Sequence, residues 1–338
     1  MKIVVNFSGG RSSATNVLEA IRIFGASRVR VVSMDTGAEH PATYEFMKKF
    51  NEYIVCKYGV SIVFLRGRFN QELGKGHTYD VINPVSLVPD LGPFKEMCKK
   101  YGTPSVASGW CTSRMKEETH DKYCDDVLGK GNYETWLGIR ADEPSRYLGV
   151  SLYHLLNKCF DLSYYDFQCI YQSVVNDGAV SIRWWFNVIP KDFHDNIFKA
   201  ARILHDKVKK QNVRYMAEIC NDEKEDVLSR WKVMPFDLGI PEWLGNCVFC
   251  FKKSDLKLAA AQRDEPELYI EWLGMIDGAK DRPKQQRVSK HVMYRKKRTL
   301  QGVIATFDGS TGKEIKARIR GSKMIDTNSC SESCEVFQ

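Results

Sequence analysis

The sequence predicts an α/β protein built on a doubly wound parallel sheet, with a helical insertion and a small basic C-terminal region that holds a β-hairpin and a metal knuckle. Three observations support this. Apolar strand segments alternate with helical segments through the first 66 residues, as in parallel strands joined by crossover helices. The first strand runs into a Ser-Gly-Gly turn, and a later strand at 133–138 ends in charged residues. Right-handed crossovers bring such strand ends to one edge, where ligands bind.

The core elements follow in chain order. The predicted strands are 2–7, 29–34 and 60–66, and the helices between them run through Phe24 and from about 41 to 58. The segment 67–108 is rich in Gly and Pro and is predicted to loop irregularly over the functional edge. Two interpretations of this segment remain open: a lid over the site, or an ordinary surface loop.

The second half is predicted to be mostly helical. Residues 150–213 are rich in aromatics at helical spacing; these side chains are suited to stacking on bases, but packing in a helical core is the preferred interpretation. A helix at 222–231, a Pro-rich linker at 234–241 and a helix at about 253–275 follow. The tail is predicted to form a hairpin, with strands at 300–307 and 314–319 around Asp308-Gly309.

These patterns divide the chain into four parts. The nucleotide-binding core is predicted at 1–149, the insertion at 150–213, the completion of the core with a Cys-x-x-Cys knuckle at 214–278, and a basic extension at 279–338. A chain of 338 residues with 43% hydrophobic content is long enough for a large core. It has no apolar run long enough to span a membrane and no secretory signal pattern. We therefore expect a cytoplasmic protein without a membrane partner.

Charge is concentrated near the C-terminus. Residues 280–323 contain fourteen Lys or Arg and three acidic residues, while the whole chain has a net charge of +8. Consecutive cations displace counterions from a phosphate backbone, so nucleic acid is a candidate partner. A solvated basic surface that keeps the protein soluble is the alternative.

The turn after the first strand is predicted to cradle phosphate. Its two glycines allow a tight turn that brings backbone N–H groups to an anion at a helix N-terminus, and its serine hydroxyls add donors. Neither a Walker A motif nor Gly-x-Gly-x-x-Gly is present. The Ser-Gly-Gly-x-x-Ser motif resembles the PP-loop of adenine-nucleotide enzymes. An ordinary strand-to-helix connection is the alternative. The candidate ligands are Ser8, Gly9, Gly10, Arg11, Ser12 and Ser13.

Three further polar clusters are candidate nucleotide contacts. One is the loop after the second strand, where Asp35 is suited to hold a ribose or a metal; an Asx turn is the alternative. Another begins at Cys111, where Thr112 or Ser113 is suited to cap a helix. The last follows the strand at 133–138 and is suited to bind phosphate with magnesium; a surface salt-bridge network is the alternative. The candidate ligands are Asp35, Thr36, Gly37, Arg114, Lys116, Arg140, Asp142, Glu143 and Arg146.

Six motifs occur in an order that resembles a known family. They are Ser-Gly-Gly-Arg-Ser-Ser at 8–13, Asp-Thr-Gly at 35–37, Trp-Cys-Thr-x-x-x-Lys at 110–116, Gly-Ile-Arg-Ala-Asp-Glu-Pro-Ser-Arg at 138–146, Pro-Phe-Asp-Leu-Gly at 235–239 and Gly-Asn-Cys-x-x-Cys-Phe at 245–251. The series resembles the phosphoadenosine phosphosulfate reductase-like proteins of bacteriophages and mobile elements. The same clan includes the sulfur-incorporating component of DNA phosphorothioation systems. A phage origin would place the protein in the host cytoplasm.

The chain has eleven cysteines, and without a signal peptide these indicate thiols and metal ligands. Cys247 and Cys250 have the spacing of a metal knuckle. With Cys330 and Cys334, this pair would form a four-cysteine zinc site. Alternatively, the resemblance places Cys111 near the knuckle, where it would complete a three-thiolate site for an iron-sulfur cluster or zinc. A redox dithiol and unligated buried thiols are the alternatives.

The resemblance implies an enzyme that binds ATP and Mg²⁺ and releases pyrophosphate while it adenylates an acceptor for sulfur or nitrogen transfer. Nucleic acid is a candidate acceptor, and a sulfur-donor protein is a candidate partner. The candidate catalytic residues are Ser13, Arg140 and Asp142. The pyrophosphatases usually carry Asp where this chain has Ser12. Reduction of phosphoadenosine phosphosulfate is a second interpretation, although the Glu-Cys-Gly-x-His ending of the reductases is absent. A non-catalytic nucleotide and nucleic-acid binder with a structural metal is a third.

Overall fold

The computed structural model of the protein describes residues 1–72, 74–105, 109–187, 189–279 and 292–321. Within these residues, six strands form one sheet in the order β4-β3-β2-β1-β5-β6, and every neighbouring pair is parallel except β3 with β4. The predicted α/β class is therefore confirmed. The strands are β1 Lys2–Asn6, β2 Val29–Asp35, β3 Ile62–Arg68, β4 Thr78–Ile82, β5 Tyr133–Leu137 and β6 Val213–Tyr215.

The strand order reverses at β1. Strands β2 and β3 follow β1 on one side, whereas β5 and β6 lie on its other side. Loops that leave the carboxyl ends of β1 and β5 therefore separate in opposite directions and leave a crevice between them. The Ser-Gly-Gly turn follows β1, and the charged cluster of residues 140–146 follows β5, so the topology brings these two predicted sites to one crevice.

Alternating side chains give the sheet two apolar faces. Val5 and Val31 pack with the helices α1 and α2 on one face, and Val4 and Val32 pack with α4 on the other, as the period of two in a strand requires. The helices of this half are α1 Arg11–Phe24, α2 Pro41–Tyr58, α3 Gly92–Tyr101 and α4 Glu118–Leu128. The first two confirm the predicted crossovers.

The segment 67–108 is more regular than predicted. It contains the antiparallel edge strand β4 and the helix α3. Pro93 stands in the first turn of α3, and Leu91 precedes the helix in the left-handed region. Proline is tolerated in a first helical turn, so the Gly and Pro content that predicted irregular structure instead marks the start of a helix.

The insertion is helical, as predicted. It contains α6 Val150–Cys159, α7 Tyr164–Asp177 and α8 His194–Gln211, and the short helix α5 Pro144–Tyr147 precedes it. The buried residues of these helices form one cluster that also holds Leu137 and Val213. The insertion therefore packs against the β5–β6 end of the sheet and is continuous with the core.

The C-terminal half differs from the prediction in two places. The predicted helix at 253–275 is two helices that meet at Pro266, because a proline lacks the N–H for the helix ladder and disfavours helical geometry in the residue before it. The predicted hairpin is wrong: two helices occupy residues 300–321. The helices are α9 Lys224–Lys232, α10 Asp255–Asp264, α11 Pro266–Gly278, α12 Leu300–Ala305 and α13 Gly312–Gly321.

Local capping explains the helical tail. The Thr311 Oγ1 accepts a hydrogen bond from Glu314 N at 3.2 Å, and the Glu314 carboxylate accepts one from Thr311 N at 2.7 Å. This reciprocal pair is a capping box, which starts a helix. Ile315 and Val303 are buried in the same cluster as the helix α10, so this part of the predicted basic extension packs on the body. Across the described ranges, no helix has the length and hydropathy to cross a membrane.

Candidate functional site

The turn between β1 and α1 is held by the hydroxyl of Ser13. Its Oγ accepts a hydrogen bond from Ser8 N at 3.1 Å and donates to the Gly10 carbonyl at 2.9 Å. The first turn of α1 has no side-chain cap and no acidic residue within the described chain. Its N–H groups and the positive end of the helix dipole are therefore suited to an anion.

Gly9 is required by the close packing of this turn. Its φ is +80°, and a Cβ placed there would lie 2.7 Å from Thr43 Cγ2 and 2.9 Å from Met47 Cε. Any side chain would meet α2 in addition to the strain of left-handed backbone. The backbone of the turn is thus pressed against α2.

Arg140 joins the two sides of the crevice. Its Nη1 donates to Ser12 Oγ at 3.1 Å, and its Nε donates to Asp142 Oδ1 at 2.7 Å. Glu143 accepts from Arg140 N at 3.2 Å and from Arg146 Nη1 at 2.7 Å. Only 3% of the Arg140 side chain is exposed. The structure therefore brings the predicted residues Ser12, Arg140, Asp142, Glu143 and Arg146 into one network beside the turn.

The linker after α9 covers the other side of the turn. Arg11 donates two hydrogen bonds to Asp237, at 2.6 Å and 2.9 Å. Burial acts to raise the pKa of Asp237, but the bonds from Arg11 and from Leu238 N lower it below its usual value. A shallow pocket lies here, lined by Gly9, Gly10, Arg11, Thr43, Leu238, Ile240, Pro241, Glu242, Gly245 and Asn246. The Pro-Phe-Asp-Leu-Gly motif thus positions Arg11.

Asp35 is engaged by protein donors. Its Oδ1 accepts hydrogen bonds from Gly37 N at 3.0 Å and Tyr44 Oη at 3.1 Å, and its Oδ2 accepts one from Arg66 Nε at 2.8 Å. Burial raises the pKa of Asp35, while the Arg66 charge opposes this. The Gly37 contact is the Asx turn that the sequence analysis offered as an alternative. The predicted contact with a ribose or a metal remains a prediction.

Glu39 connects this loop to the cysteine knuckle. It accepts hydrogen bonds from Thr36 Oγ1 at 2.9 Å and 2.8 Å, from Tyr44 Oη at 3.0 Å and from Cys247 Sγ at 3.7 Å. Burial, followed by the charges of Glu39 and Asp35, raises the pKa of Tyr44 well above its usual value. Sequence reasoning missed Glu39, Tyr44 and Arg66. Arg66 had a signal, because it is a charged residue near the carboxyl end of the third strand.

Several buried polar groups of β1, β2, α1 and α2 have no hydrogen-bond partner among the described residues. They are both side-chain polar atoms of Asn6 and of Asn16, the hydroxyl of Ser33 and the hydroxyl of Thr43. Asn6 lies at the end of β1, directly before the turn, and is 1% exposed. Each such group costs about 1–3 kcal/mol when it is left unsatisfied, so these positions fit a site that is completed by a polar ligand.

Tyr164 of the insertion is electrostatically coupled to the charged cluster after β5. Burial, followed by the charges of Asp142 and Glu223, raises the pKa of Tyr164. Tyr164 is 42% exposed at the start of α7. Most of the insertion's aromatics pack in its core, as predicted, whereas Tyr164 is exposed and feels the charge of Asp142.

The three cysteines at 111, 247 and 250 line one pocket. Its other lining residues are Phe94, Thr112, Lys116, Phe251, Lys252 and Trp272. Among the described residues, no group of three His, Cys, Asp or Glu side chains is arranged so that it could hold a metal ion. The predicted cluster of Cys111, Cys247 and Cys250 thus meets at one pocket, while Cys330 and Cys334 lie outside the described residues.

The motif at 110–116 folds differently from the prediction. Residues Cys111–Glu117 form a π-helix that continues into α4, and it has no side-chain cap in the described chain, so the capping role predicted for Thr112 or Ser113 is wrong. Arg114 is about half exposed and pairs with Glu118. Lys116 is buried and lines the cysteine pocket. Lys116 thus lies at the cysteine pocket, and the predicted contacts of Arg114 and Lys116 with phosphate remain predictions.

Comparison with known proteins gives one relative along the whole chain. The protein is 36% identical over 339 aligned residues, which cover 99% of this chain and 94% of the relative, to the uncharacterized nin region protein ORF290 of Escherichia phage lambda. It is also 32% identical over 122 residues, 36% of this chain and 28% of the relative, to the uncharacterized protein MJ0973 of Methanocaldococcus jannaschii. No family model and no solved structure matches the chain.

Proposed function

The chain belongs to the family of the nin region protein ORF290 of Escherichia phage lambda, and we propose that it is a PP-loop enzyme of the phosphoadenosine phosphosulfate reductase-like type. In this proposal it binds ATP at the crevice between β1 and β5. It then transfers adenylate to an acceptor, releases pyrophosphate and leaves the acceptor open to a sulfur or nitrogen nucleophile.

One observation carries the proposal. At the point where the strand order reverses, the Nη1 of Arg140 after β5 reaches Ser12 Oγ in the turn after β1, at 3.1 Å. Open α/β sheets bind ligands at this crevice. The uncapped start of α1 supports a phosphate there, and the unpartnered side chain of Asn6 supports a polar ligand beside it.

The chemistry assigned to these residues is charge stabilisation. An acceptor oxygen attacks the α-phosphorus and forms a phosphorus–oxygen bond, while the bond from that phosphorus to the bridging oxygen breaks and pyrophosphate leaves with the electron pair. Backbone N–H groups of residues 11–13 orient the phosphates, and the Arg140 guanidinium stabilises the developing negative charge. Asp142 holds Arg140 in place through two hydrogen bonds, at 2.7 Å and 3.2 Å.

The family resemblance implies Mg²⁺ and an iron-sulfur cluster or zinc, and we propose ligands for each of them. Asp142 beside Arg140 is the carboxylate that would hold Mg²⁺, since magnesium prefers oxygen ligands, and the metal would supply further charge neutralisation. Cys111, Cys247 and Cys250 would hold an iron-sulfur cluster or zinc through their thiolates. A cluster supplies electron transfer or sulfur binding, and zinc supplies structural rigidity.

The test is release of pyrophosphate from ATP by the purified protein. We expect turnover in wild type and a loss of about 100-fold in Ser13→Ala, because the turn loses the hydroxyl that shapes its donors. Ser86→Ala, on an exposed 3₁₀ turn, is the control and should match wild type. ATP binding without turnover would contradict the enzyme and favour a pure binder. Sulfite release from phosphoadenosine phosphosulfate with a dithiol would favour the reductase.

A further inference from the structure

The helix α9 is fixed to the beginning of α1 by hydrogen bonds. The indole Nε1 of Trp231 donates to Arg11 O at 3.1 Å and to Thr15 Oγ1 at 3.0 Å, and the Thr15 hydroxyl itself donates to Arg11 O at 3.0 Å. One helical turn after Thr15, Glu19 Oε1 accepts from Arg230 Nη1 at 2.7 Å. The end of α9 therefore contacts the part of α1 that follows the Ser-Gly-Gly turn.

The contact made by Trp231 is shielded from water. Trp231 is 1% exposed, and Thr15 is fully buried. The Trp231 ring packs edge-on against Phe46 and Phe50 of α2, with ring centroids 5.0 Å and 5.9 Å away, and against Phe236 of the linker at 6.0 Å. A polar group in such apolar surroundings is costly without its hydrogen bond. The packing and the hydrogen bonds together fix Trp231 relative to α1.

The carbonyl of Arg11 determines the direction of one predicted phosphate donor. The Arg11 C=O and the Ser12 N–H belong to the same peptide unit, which is planar. Ala14 N donates to Gly10 O at 3.0 Å at the start of α1, and the N–H groups before Ala14 lack a helical carbonyl partner. A contact that fixes Arg11 O therefore also fixes the Ser12 N–H, at the end of a helix that favours an anion.

Ser12 is held from a second element through its side chain. Arg140 Nη1 donates to Ser12 Oγ at 3.1 Å from the loop after β5, whereas Trp231 acts from α9 on the carbonyl before Ser12. Donors that are already held in place need no reorientation when a charged ligand binds. The peptide unit and the side chain of Ser12 are thus held by contacts that two different parts of the chain supply.

We propose that Trp231 is a positioning residue for nucleotide binding, which holds the Ser12 N–H toward the phosphates of ATP through the Arg11 carbonyl. The inference rests on the proposed function, because it takes ATP as the ligand of the turn. Trp231 itself does not touch ATP in this arrangement. Loss of its N–H should therefore weaken ATP binding and leave the reacting groups unchanged.

The experiment compares two Trp-to-Phe variants of the full chain. Trp231→Phe keeps an aromatic ring and removes the N–H. Trp243→Phe is the matched control, since Trp243 is also buried and its Nε1 donates to Asp264 Oδ2 at 2.9 Å. Calorimetry measures the Kd of ATP, pyrophosphate release measures KM and kcat, and urea unfolding measures stability. Both variants should lose stability, because each loses a buried hydrogen bond and some packing.

We expect Trp231→Phe to weaken ATP binding about fivefold and to raise KM by a similar factor, with kcat within about twofold of wild type. Trp243→Phe should keep the wild-type Kd and KM. If Trp231 is only structural, both variants will be less stable and neither will change the ATP affinity, which would overturn the inference. Equal losses of ATP affinity in the two variants would overturn it as well.

Thr15→Val tests the same contact when Trp231→Phe does not fold. It removes the hydroxyl that lies between Trp231 Nε1 and Arg11 O, so ATP binding should again weaken, and an unchanged Kd would contradict the inference. The outcome also separates the two proposals. Wild-type protein that does not bind ATP would overturn the proposed function together with this inference, whereas ATP binding that is equal in wild type and Trp231→Phe would overturn this inference alone.

Discussion

The crevice between β1 and β5 and the cysteine pocket are lined by different kinds of side chain. The crevice is held by paired charges, with Arg140 on Asp142 and Arg11 on Asp237, whereas the cysteine pocket is walled by Phe94, Phe251 and Trp272. Preorganised charges suit a phosphate whose charge changes during reaction. A largely apolar wall suits soft sulfur ligands or a metal.

The two regions share one connection. Glu39 contacts Thr36 and Tyr44 on the crevice side and Cys247 on the pocket side, and the backbone of Glu39 pairs with that of Cys247. A change in one region can therefore reach the other through this loop. Under the proposed function, mutations on either side should separate the proposed nucleotide affinity from the proposed metal affinity, whereas a mutation of Glu39 should change both.

The largest expected effect is on metal content. Cys250→Ser should remove all bound iron or zinc from protein purified without oxygen, because a three-thiolate set loses a ligand, while ATP affinity stays within about threefold of wild type. Elemental analysis and absorption spectra measure the metal. Cys56→Ser on the exposed side of α2 is the control. If the purified wild-type protein contains no iron or zinc, the predicted metal site is wrong.

Gly9→Ala should weaken ATP binding about 100-fold, because overpacking costs about 1–3 kcal/mol where the new Cβ meets Thr43. Metal content should stay at the wild-type level. Gly25→Ala has a similar φ of +82° with open space around the Cβ, so it separates backbone strain from the clash. Equal losses of ATP affinity in both variants, measured by calorimetry, would argue against a binding role for the turn.

Glu242 makes the crevice side sensitive to acid. Burial acts to raise its pKa, but Lys257 and Lys224 lower it to about 2. A lowered folded-state pKa means that ionised Glu242 stabilises the fold above its usual pKa near 4.5 and that this contribution, about 3 kcal/mol, is lost as pH falls toward 2. Urea unfolding between pH 7 and pH 3 should show a shallower pH dependence in Glu242→Gln. The exposed Glu225→Gln should retain the wild-type slope.

The smallest change in binding affinity is expected from a substitution of Glu39, which connects the crevice to the cysteine pocket. Glu39→Gln replaces an acceptor of several hydrogen bonds by an amide that also donates, so we expect a loss of about 1–2 kcal/mol in stability and about fivefold weaker binding of both ATP and metal. Glu45→Gln, exposed on α2, is the control. A change in only one of the two affinities would show that the regions are independent.

Much of the fold was predictable because its signals are local. The predicted strands and the first two helices agree with β1, β2, β3, β5, α1 and α2 to within about two residues. The two helices of the tail were not predicted. Their sequence carries both a hairpin pattern and the Thr311–Glu314 capping box, and the prediction followed the hairpin pattern. The helix break at Pro266 was also a local signal, and it was overlooked.

Within the candidate site, the sequence alone determined the glycine turn, the charged cluster after β5 and the Cys-x-x-Cys pair, since each depends on a few adjacent residues. Only the tertiary structure decided which distant residues complete them: Asp237 for Arg11, Arg140 for Ser12 and Cys111 beside Cys247. It also moved Lys116 to the cysteine pocket. The physical reason is that such contacts depend on sheet order and on the packing of whole elements, neither of which is written in a short stretch of chain.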